Sequence, residues 1–265
     1  MNLLTTKMKQ LKEQKALIPF ITAGHPRPDM TVALMHELVS CGADVIELGM
    51  PFSDPMADGP VIQLASEQAI AQGVGILDVL EMVKVFRQDD ENTPVVLMGY
   101  LNPVECMGYE PFAKQANVAG VNAVLLVDSP PEESAELLKY LEQNKLQQIF
   151  LVSPTTTSGR TKMICQHASG FIYYVALKGV TGSADLNTDS IQADIEIIRK
   201  YSPLPVAVGF GVKDASTATA VAKSADAVVI GSALVSLLGE CDDLDTAKKA
   251  IQDFIKPIRK ALDSL

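Results

Sequence analysis

The sequence predicts an α/β protein, a single-domain (β/α)8 TIM barrel over residues 1–265 with an extra N-terminal helix and additional short helices. Three observations carry that prediction. Eight short, β-rich apolar runs alternate with amphipathic helical stretches, which is the pattern of a parallel sheet with crossover helices. The chain length of 265 residues suits eight such units closed as one barrel. No linker or shift of composition divides the chain.

The opening segment, residues 1–15, is polar and lysine-rich, with Leu4, Met8 and Leu11 at helical spacing. It reads as a helix ahead of the barrel. The strand runs are residues 17–22, 45–48, 95–100, 123–128, 148–153, 171–175, 206–209 and 227–231, most of them ending in or just before Gly or a polar residue. The helical stretches between them cover 30–41, 61–72 with 77–87, 111–118, 132–143, 160–167, 189–201 and 215–222. A pair at 233–238 and 245–263 closes the chain. The longest irregular stretch, residues 176–187, lies between the sixth strand and its helix. Long loops in compact domains are often lids or binding loops, and Gly179 and Gly182 suit either a lid or a passive surface loop.

A hydrophobic content of 48% supplies a large core, and the net charge of −10 argues against nucleic acid or an anionic membrane as partner. It leaves room for a phosphate ligand, which backbone amides at helix N-termini hold without side-chain charge. Cys41, Cys106, Cys165 and Cys241 lie far apart, with no CxxC pair and no Cys/His cluster. With no signal peptide and no run of transmembrane length, the expectation is a soluble, cytoplasmic protein with reduced thiols.

Residues 47–60 stand out chemically. Between a strand end and a helix start lies a loop carrying Glu47, Asp54 and Asp58 among three prolines and two glycines, a composition that pre-shapes the backbone. Both faces of a parallel strand are covered, so any register of the second run buries Glu47. A buried carboxylate must be paired, protonated or used; a structural Glu satisfied by loop backbone or a buried Lys is the alternative. Asp58, just ahead of Pro60, also suits a helix N-cap. Asp54, mid-loop, is expected to be solvated.

Thr22, Glu47, Tyr100, Asp128, Ser153 and Tyr173 all fall at or near carboxyl ends of strands, the active face of such barrels. Taken singly, Tyr100 and Tyr173 also suit core aromatics, and Asp128 also suits ordering the turn at Ser129-Pro130-Pro131. The last two strands end in Gly209-Phe210-Gly211 and Gly231-Ser232. Barrels often bind phosphate at these two ends, where glycine admits close approach of backbone N–H groups; tight strand-to-helix turns are the plain alternative. The three histidines do not cluster with carboxylates, no strand run contains a lysine, and no dinucleotide fingerprint is present. Metal-dependent aldol, Schiff-base and nicotinamide chemistry therefore lack their residues. What remains is cofactor-free general acid–base chemistry by carboxylates on a small phosphorylated substrate.

Residues 47–63, with Pro19-Phe20-Ile21-Thr22-Ala23-Gly24-His25-Pro26, Met98-Gly99-Tyr100-Leu101-Asn102-Pro103, Gly179-Val180-Thr181-Gly182, Val208-Gly209-Phe210-Gly211 and Gly231-Ser232, resemble the signatures of the tryptophan synthase alpha subunit family. The resemblance runs over essentially the whole chain. It implies retro-aldol cleavage of indole-3-glycerol phosphate to indole and glyceraldehyde 3-phosphate. On this likeness Glu47 is the general acid that protonates indole C3, Asp58 accepts the indole N–H, and Tyr173 hydrogen-bonds near Glu47. Phe20, Ile62, Tyr100, Leu125, Leu151, Phe210 and Ile230 form the indole slot. Gly182, Gly211, Gly231 and Ser232 hold the phosphate, and Thr181 in the lid swings towards Asp58. No metal and no cofactor are implied in this chain. Pyridoxal phosphate is expected only on a beta subunit, the partner in an alpha2-beta2 heterotetramer, contacted by residues 50–58 and 102–108.

One departure from the family pattern lies in the lid. Many members carry Ser-Arg-x-Gly-Val-Thr-Gly, whereas this chain reads Ala176-Leu177-Lys178-Gly179-Val180-Thr181-Gly182, which bears on lid contacts and signalling to the partner. The alternatives are a free-standing indole-3-glycerol phosphate lyase or a non-catalytic barrel that activates a partner subunit. Indole-glycerol phosphate synthase, which wants strand-end lysines, and a metal-dependent sugar-phosphate epimerase are the rival enzymes.

Overall fold

The structure is a computed structural model and describes residues 1–12, 14–176, 188–209 and 211–265. Strands β1 (Ala16–Thr22), β2 (Ile46–Gly49), β3 (Val95–Gly99), β4 (Ala123–Leu126), β5 (Gln147–Val152), β6 (Ile172–Val175), β7 (Val206–Gly209) and β8 (Ala227–Ile230) are all parallel. They close into a barrel in sequence order, with β8 back on β1. Around them lie α2 (Thr31–Ser40), α3 (Pro60–Ala71), α4 (Ile76–Phe86), α5 (Leu101–Met107), α6 (Tyr109–Ala119), α7 (Ala135–Gln143), α8 (Ser158–His167), α9 (Thr188–Tyr201), α10 (Ala215–Ala222), α11 (Ser232–Gly239) and α12 (Leu244–Leu262). Helix α1 (Leu3–Gln10) precedes the barrel.

The expected elements are present, with the ends of strands and barrel helices displaced by at most three residues and α1 confined to Leu3–Gln10 of the opening segment. Helix α5 is the addition. Pro103 falls in its first turn, where the missing N–H has no intrahelical acceptor to lose.

Period-2 alternation sorts the strand residues into two cores. Ile18, Val45, Val96, Ala123, Ile149 and Phe171 fill the lumen together with Leu4 and Met8 of α1. Leu17, Ile46, Leu97, Val124 and Val208 pack outwards under the helices. Helix α1 is pinned over the amino-terminal mouth. The Asn2 carboxamide oxygen accepts from Leu4 N (2.9 Å) while its amide nitrogen donates to the Asn122 and Lys145 carbonyls, both at 2.8 Å. One end of the lumen is thereby plugged, and the chemistry is left to the other.

The closing helix is tied to the same lower end. Arg259 of α12 pairs with Asp44 at 2.9 Å and donates to the Lys15 carbonyl at 3.0 Å. Asp44 also accepts from Leu17 N at 2.9 Å. Burial raises the Asp44 carboxyl pKa, and the Leu17 N–H and the Arg259 charge oppose that rise. The Arg259 and Asp44 side chains are 15% and 17% exposed. Breaking a buried pair from one side costs about 3–5 kcal/mol, and the residual exposure places this pair at the lower bound. Arg259→Ala is expected to lower the urea midpoint accordingly, with an unchanged m-value. An unchanged midpoint would show that solvent already satisfies Asp44.

Candidate active site

Two residues beyond each inner position of β1 to β6, a second lumen layer forms at the carboxyl end: Phe20, Glu47, Met98, Leu125, Leu151 and Tyr173. Each follows from alternation alone, since residues i and i+2 of a strand share a face. Five of the six were singled out from sequence. Met98 was missed, although its spacing from Val96 marks it as inward. Glu47 pairs in register with Phe20 of β1 and Val96 of β3.

Glu47 is 1% exposed, and neither carboxyl oxygen has a hydrogen-bond partner among the described residues. Burial first, and the Asp58 charge second, push its pKa from 4.5 to about 8. At neutral pH it is a carboxylic acid with a proton to give. The expected hydrogen bond from Tyr173 is not formed. The Tyr173 hydroxyl instead lies against Gly209 of β7, where an ideal Cβ would stand 2.1 Å from it. Glycine at that position is what leaves space for the ring. Burial, then the charges of Glu47 and Asp58, raise the Tyr173 pKa, so the phenol stays protonated.

Asp58 is not a helix cap. Gly59 occupies the N-cap of α3 and Pro60 its first turn, with no side-chain cap bond, so the Asp58 carboxylate is left for other work. Its Oδ2 accepts from the Tyr100 hydroxyl at 3.1 Å, and that hydroxyl accepts from Ala57 N at 3.0 Å. The Phe52 ring stacks on Tyr100 with centroids 5.2 Å apart. Burial raises the Asp58 pKa and the Tyr100 hydrogen bond opposes the rise. Asp54 is exposed, and its carboxylate accepts a local bond from Ser53 at 2.5 Å.

A small cavity beside Asp58 is lined by Phe20, Thr22, Met50, Ile62, Met98 and Tyr100 among others, with about 10 Å³ open to the centre of a water molecule. That is room for about one water. Thr22 Oγ1 is buried here without a partner among the described residues. Ser153 is engaged in its own loop with Thr155 (2.9 Å) and Thr156 (3.2 Å). Asp128, expected to order its own turn, instead accepts from Leu101 N at 2.7 Å.

Ile230 does not belong to the slot. Val229 packs in the lumen cluster and Ile230 in the outer core, because a shift of one residue along a strand exchanges faces. Gly231 is the N-cap of α11 and Ser232 its first residue, which puts a helix N-terminus at the end of β8. Gly211, after the neighbouring strand, has φ +79, a conformation that favours glycine. Gly231 has φ −118, and a Cβ there would meet Phe20 at 3.6 Å, ordinary contact. Glycine is thus demanded by backbone conformation at 211 and not by crowding at 231. Thr181, Gly182 and Phe210, with the Leu177-Lys178 departure, lie outside the described residues.

Among the described residues, no group of three or more His, Cys, Asp and Glu is placed to hold a metal ion, and no helix is long and apolar enough to cross a membrane. Residues 6–263 match the family model of the tryptophan synthase alpha chain. The tryptophan synthase alpha chain of Marinobacter nauticus is 54% identical over 261 residues, covering 97% of each chain. The crystal structure of tryptophan synthase subunit alpha from Legionella pneumophila matches with a TM-score of 0.92 at 44% identity, over 100% of both chains. A structure of the tryptophan synthase complex from Pyrococcus furiosus matches with a TM-score of 0.82 at 31% identity, over 92% of this chain and 98% of that one. The rim of carboxylates and glycines therefore sits on a chain that belongs, over nearly its full length, to the tryptophan synthase alpha chain family.

Proposed function

We propose that this chain cleaves indole-3-glycerol phosphate to indole and glyceraldehyde 3-phosphate with Glu47 and Asp58 as the acting groups. The observation that carries the reading is the pair of unlike carboxyl groups: Glu47 buried, protonated and without a partner among the described residues, and Asp58 half-buried and hydrogen-bonded. Environments that drive two carboxyl groups apart in pKa assign the acid and the anion.

Glu47 gives its proton to indole C3. The ring becomes a cation whose N–H donates to the Asp58 carboxylate, which offsets the new charge. The Glu47 carboxylate then takes the proton of the glycerol hydroxyl on the carbon attached to C3. As that O–H electron pair becomes the aldehyde C=O, the bond to C3 breaks and its electrons return to the ring. Indole leaves neutral, and Glu47 ends as it began, protonated. The ring itself is the electron sink, and the step closes without a cofactor.

Phe20, Ile62, Met98, Tyr100, Leu125 and Leu151 supply the apolar walls. The amides after β7 and β8, with the Ser232 hydroxyl at the start of α11, take the phosphate. Gly182, Thr181 and Phe210 are expected to complete the site from the segments outside the described residues. The partner is a tryptophan synthase beta subunit, in an alpha2-beta2 assembly, which carries pyridoxal phosphate and consumes the indole. The existence of tryptophan synthase complexes among structural relatives supports a partner.

The test is indole release from indole-3-glycerol phosphate by the purified chain, alone and with a beta subunit added. Slow release that rises at least tenfold with the partner is expected, together with co-elution of the two chains at the mass of a heterotetramer. Fast release with no response to the partner would instead identify a free-standing lyase. No release under either condition sinks the reading.

A separate prediction concerns the phosphate end. Gly211→Val, at a position with φ +79, is expected to raise KM for the phosphorylated substrate at least tenfold while leaving affinity for free indole within about twofold. Equal loss of both ligands would show collapse of the site and not loss of the phosphate contacts.

A further inference from the structure

We infer that Asp128 positions the Asp58 carboxylate, acting at a distance by fixing the start of helix α5. The inference rests on the catalytic reading of Asp58. Asp128 follows β4, and its expected local task is already done by others. The turn into α7 is held by Ser129 and Ser134, whose hydroxyls lie 2.9 Å apart, and by the Ser134 hydroxyl donating to the Pro130 carbonyl at 2.7 Å. The Asp128 carboxylate turns instead to the neighbouring unit and accepts from Leu101 N at 2.7 Å.

Leu101 is the first residue of α5. Its N–H has no acceptor within the helix, because the first four N–H groups of any helix lack one. An anion at that end is also favoured by the helix dipole. Asp128 thus satisfies both requirements from 27 residues away.

The residue immediately before that bond is Tyr100, the N-cap of α5, held in extended backbone at φ −118 and ψ 156. Its hydroxyl makes the one hydrogen bond that the Asp58 side chain accepts from the described residues (3.1 Å), and also takes the N–H of Ala57 (3.0 Å). Tyr100 is therefore held at both ends, its backbone by Asp128 through Leu101 N and its hydroxyl by the Asp58 loop. A tyrosine side chain is rigid over that span, with two rotatable bonds packed against Phe52. A displacement of the first turn of α5 therefore reaches Asp58 through the Tyr100 ring and its hydroxyl. Misplacing a catalytic group by about 1 Å costs up to about 100-fold in rate.

The experiment compares kcat and KM for indole-3-glycerol phosphate, with beta subunit present, for Asp128→Ala, Asp128→Asn and Leu101→Pro. Each is made in the wild-type and the Tyr100→Phe backgrounds. Leu101→Pro deletes the N–H donor without touching Asp128. Proline suits the first position of a helix, and the extended Tyr100 backbone suits a residue before proline. Asp128→Ala and Leu101→Pro are expected to lower kcat by roughly 10- to 100-fold with KM within about threefold. Asp128→Asn keeps an oxygen acceptor and is expected to stay within about fivefold of wild type.

In the Tyr100→Phe background, whose hydroxyl link is already gone, the same substitutions are expected to cost less than about twofold more. Losses that simply multiply across the two backgrounds would overturn the inference, as would an unchanged kcat in folded Asp128→Ala. Failure of both Asp128→Ala and Leu101→Pro to fold would make the bond purely structural and overturn it equally. A wild-type protein without lyase activity would instead overturn the catalytic reading on which the inference stands.

Discussion

Replacing Glu47 with glutamine is expected to leave a folded protein whose turnover of indole-3-glycerol phosphate has fallen by roughly 10²–10⁴-fold. Glutamine has the shape of the protonated acid and no proton to give. The site it enters holds the side chain 1% exposed with both oxygens unpartnered among the described residues, so substrate affinity is expected to change little. Substantial residual turnover would remove Glu47 from the acid role.

The pH behaviour follows from the same burial. Glu47 has its folded-state pKa raised from 4.5 to about 8. Below 4.5 it is protonated in both the folded and unfolded chain and costs nothing. Between 4.5 and 8 the folded chain keeps a proton that the unfolded chain gives up, so stability falls with rising pH across that window. Above 8 the full penalty of a buried carboxylate is present. In Glu47→Gln this fall is absent, and the variant is expected to be the more stable protein at pH 9 by urea titration. The wild-type kcat/KM is expected to decline above about pH 8, as the free enzyme loses its acid.

Asp58→Asn carries the second large effect, a loss of turnover of about 10²-fold or more, with the Tyr100 hydrogen bond retained because the amide oxygen still accepts. An anion placed where positive charge develops is typically among the larger catalytic contributions. The two variants differ in their pH profiles. Burial raises the Asp58 pKa above its usual 3.8, so on the proposed roles the acid limb of wild-type kcat/KM is expected to report Asp58 ionising and the basic limb Glu47. Asp58→Asn is expected to lose the acid limb and keep the basic one. Persistence of the acid limb in Asp58→Asn would assign it to another group.

Much of this site is legible in the sequence, and the illegible parts have identifiable causes. Glu47 announces itself because every register of a doubly covered strand buries it, so no tertiary knowledge is needed. Asp58 is ambiguous because a helix N-cap and a free carboxylate differ by one residue of helix boundary; Gly59 takes the cap. Ile230 was assigned to the slot from motif position, and alternation along β8 places it outside with Val229 inside. Met98 was overlooked although the same alternation marks it.

Helix α5 was hidden by Asn102-Pro103, since a proline reads alike in a loop and in a first turn. The link from Asp128 to Leu101 spans units, and local turn chemistry offered it a closer task. What the sequence determined by itself was everything periodic: eight β/α units, the two faces of each strand, and the burial of Glu47. Only the closed barrel decided which spare polar groups meet. Hydrogen-bond partners such as Asp128 and Leu101, or Tyr100 and Asp58, are set by where neighbouring strands end, and period and composition carry no record of that distance.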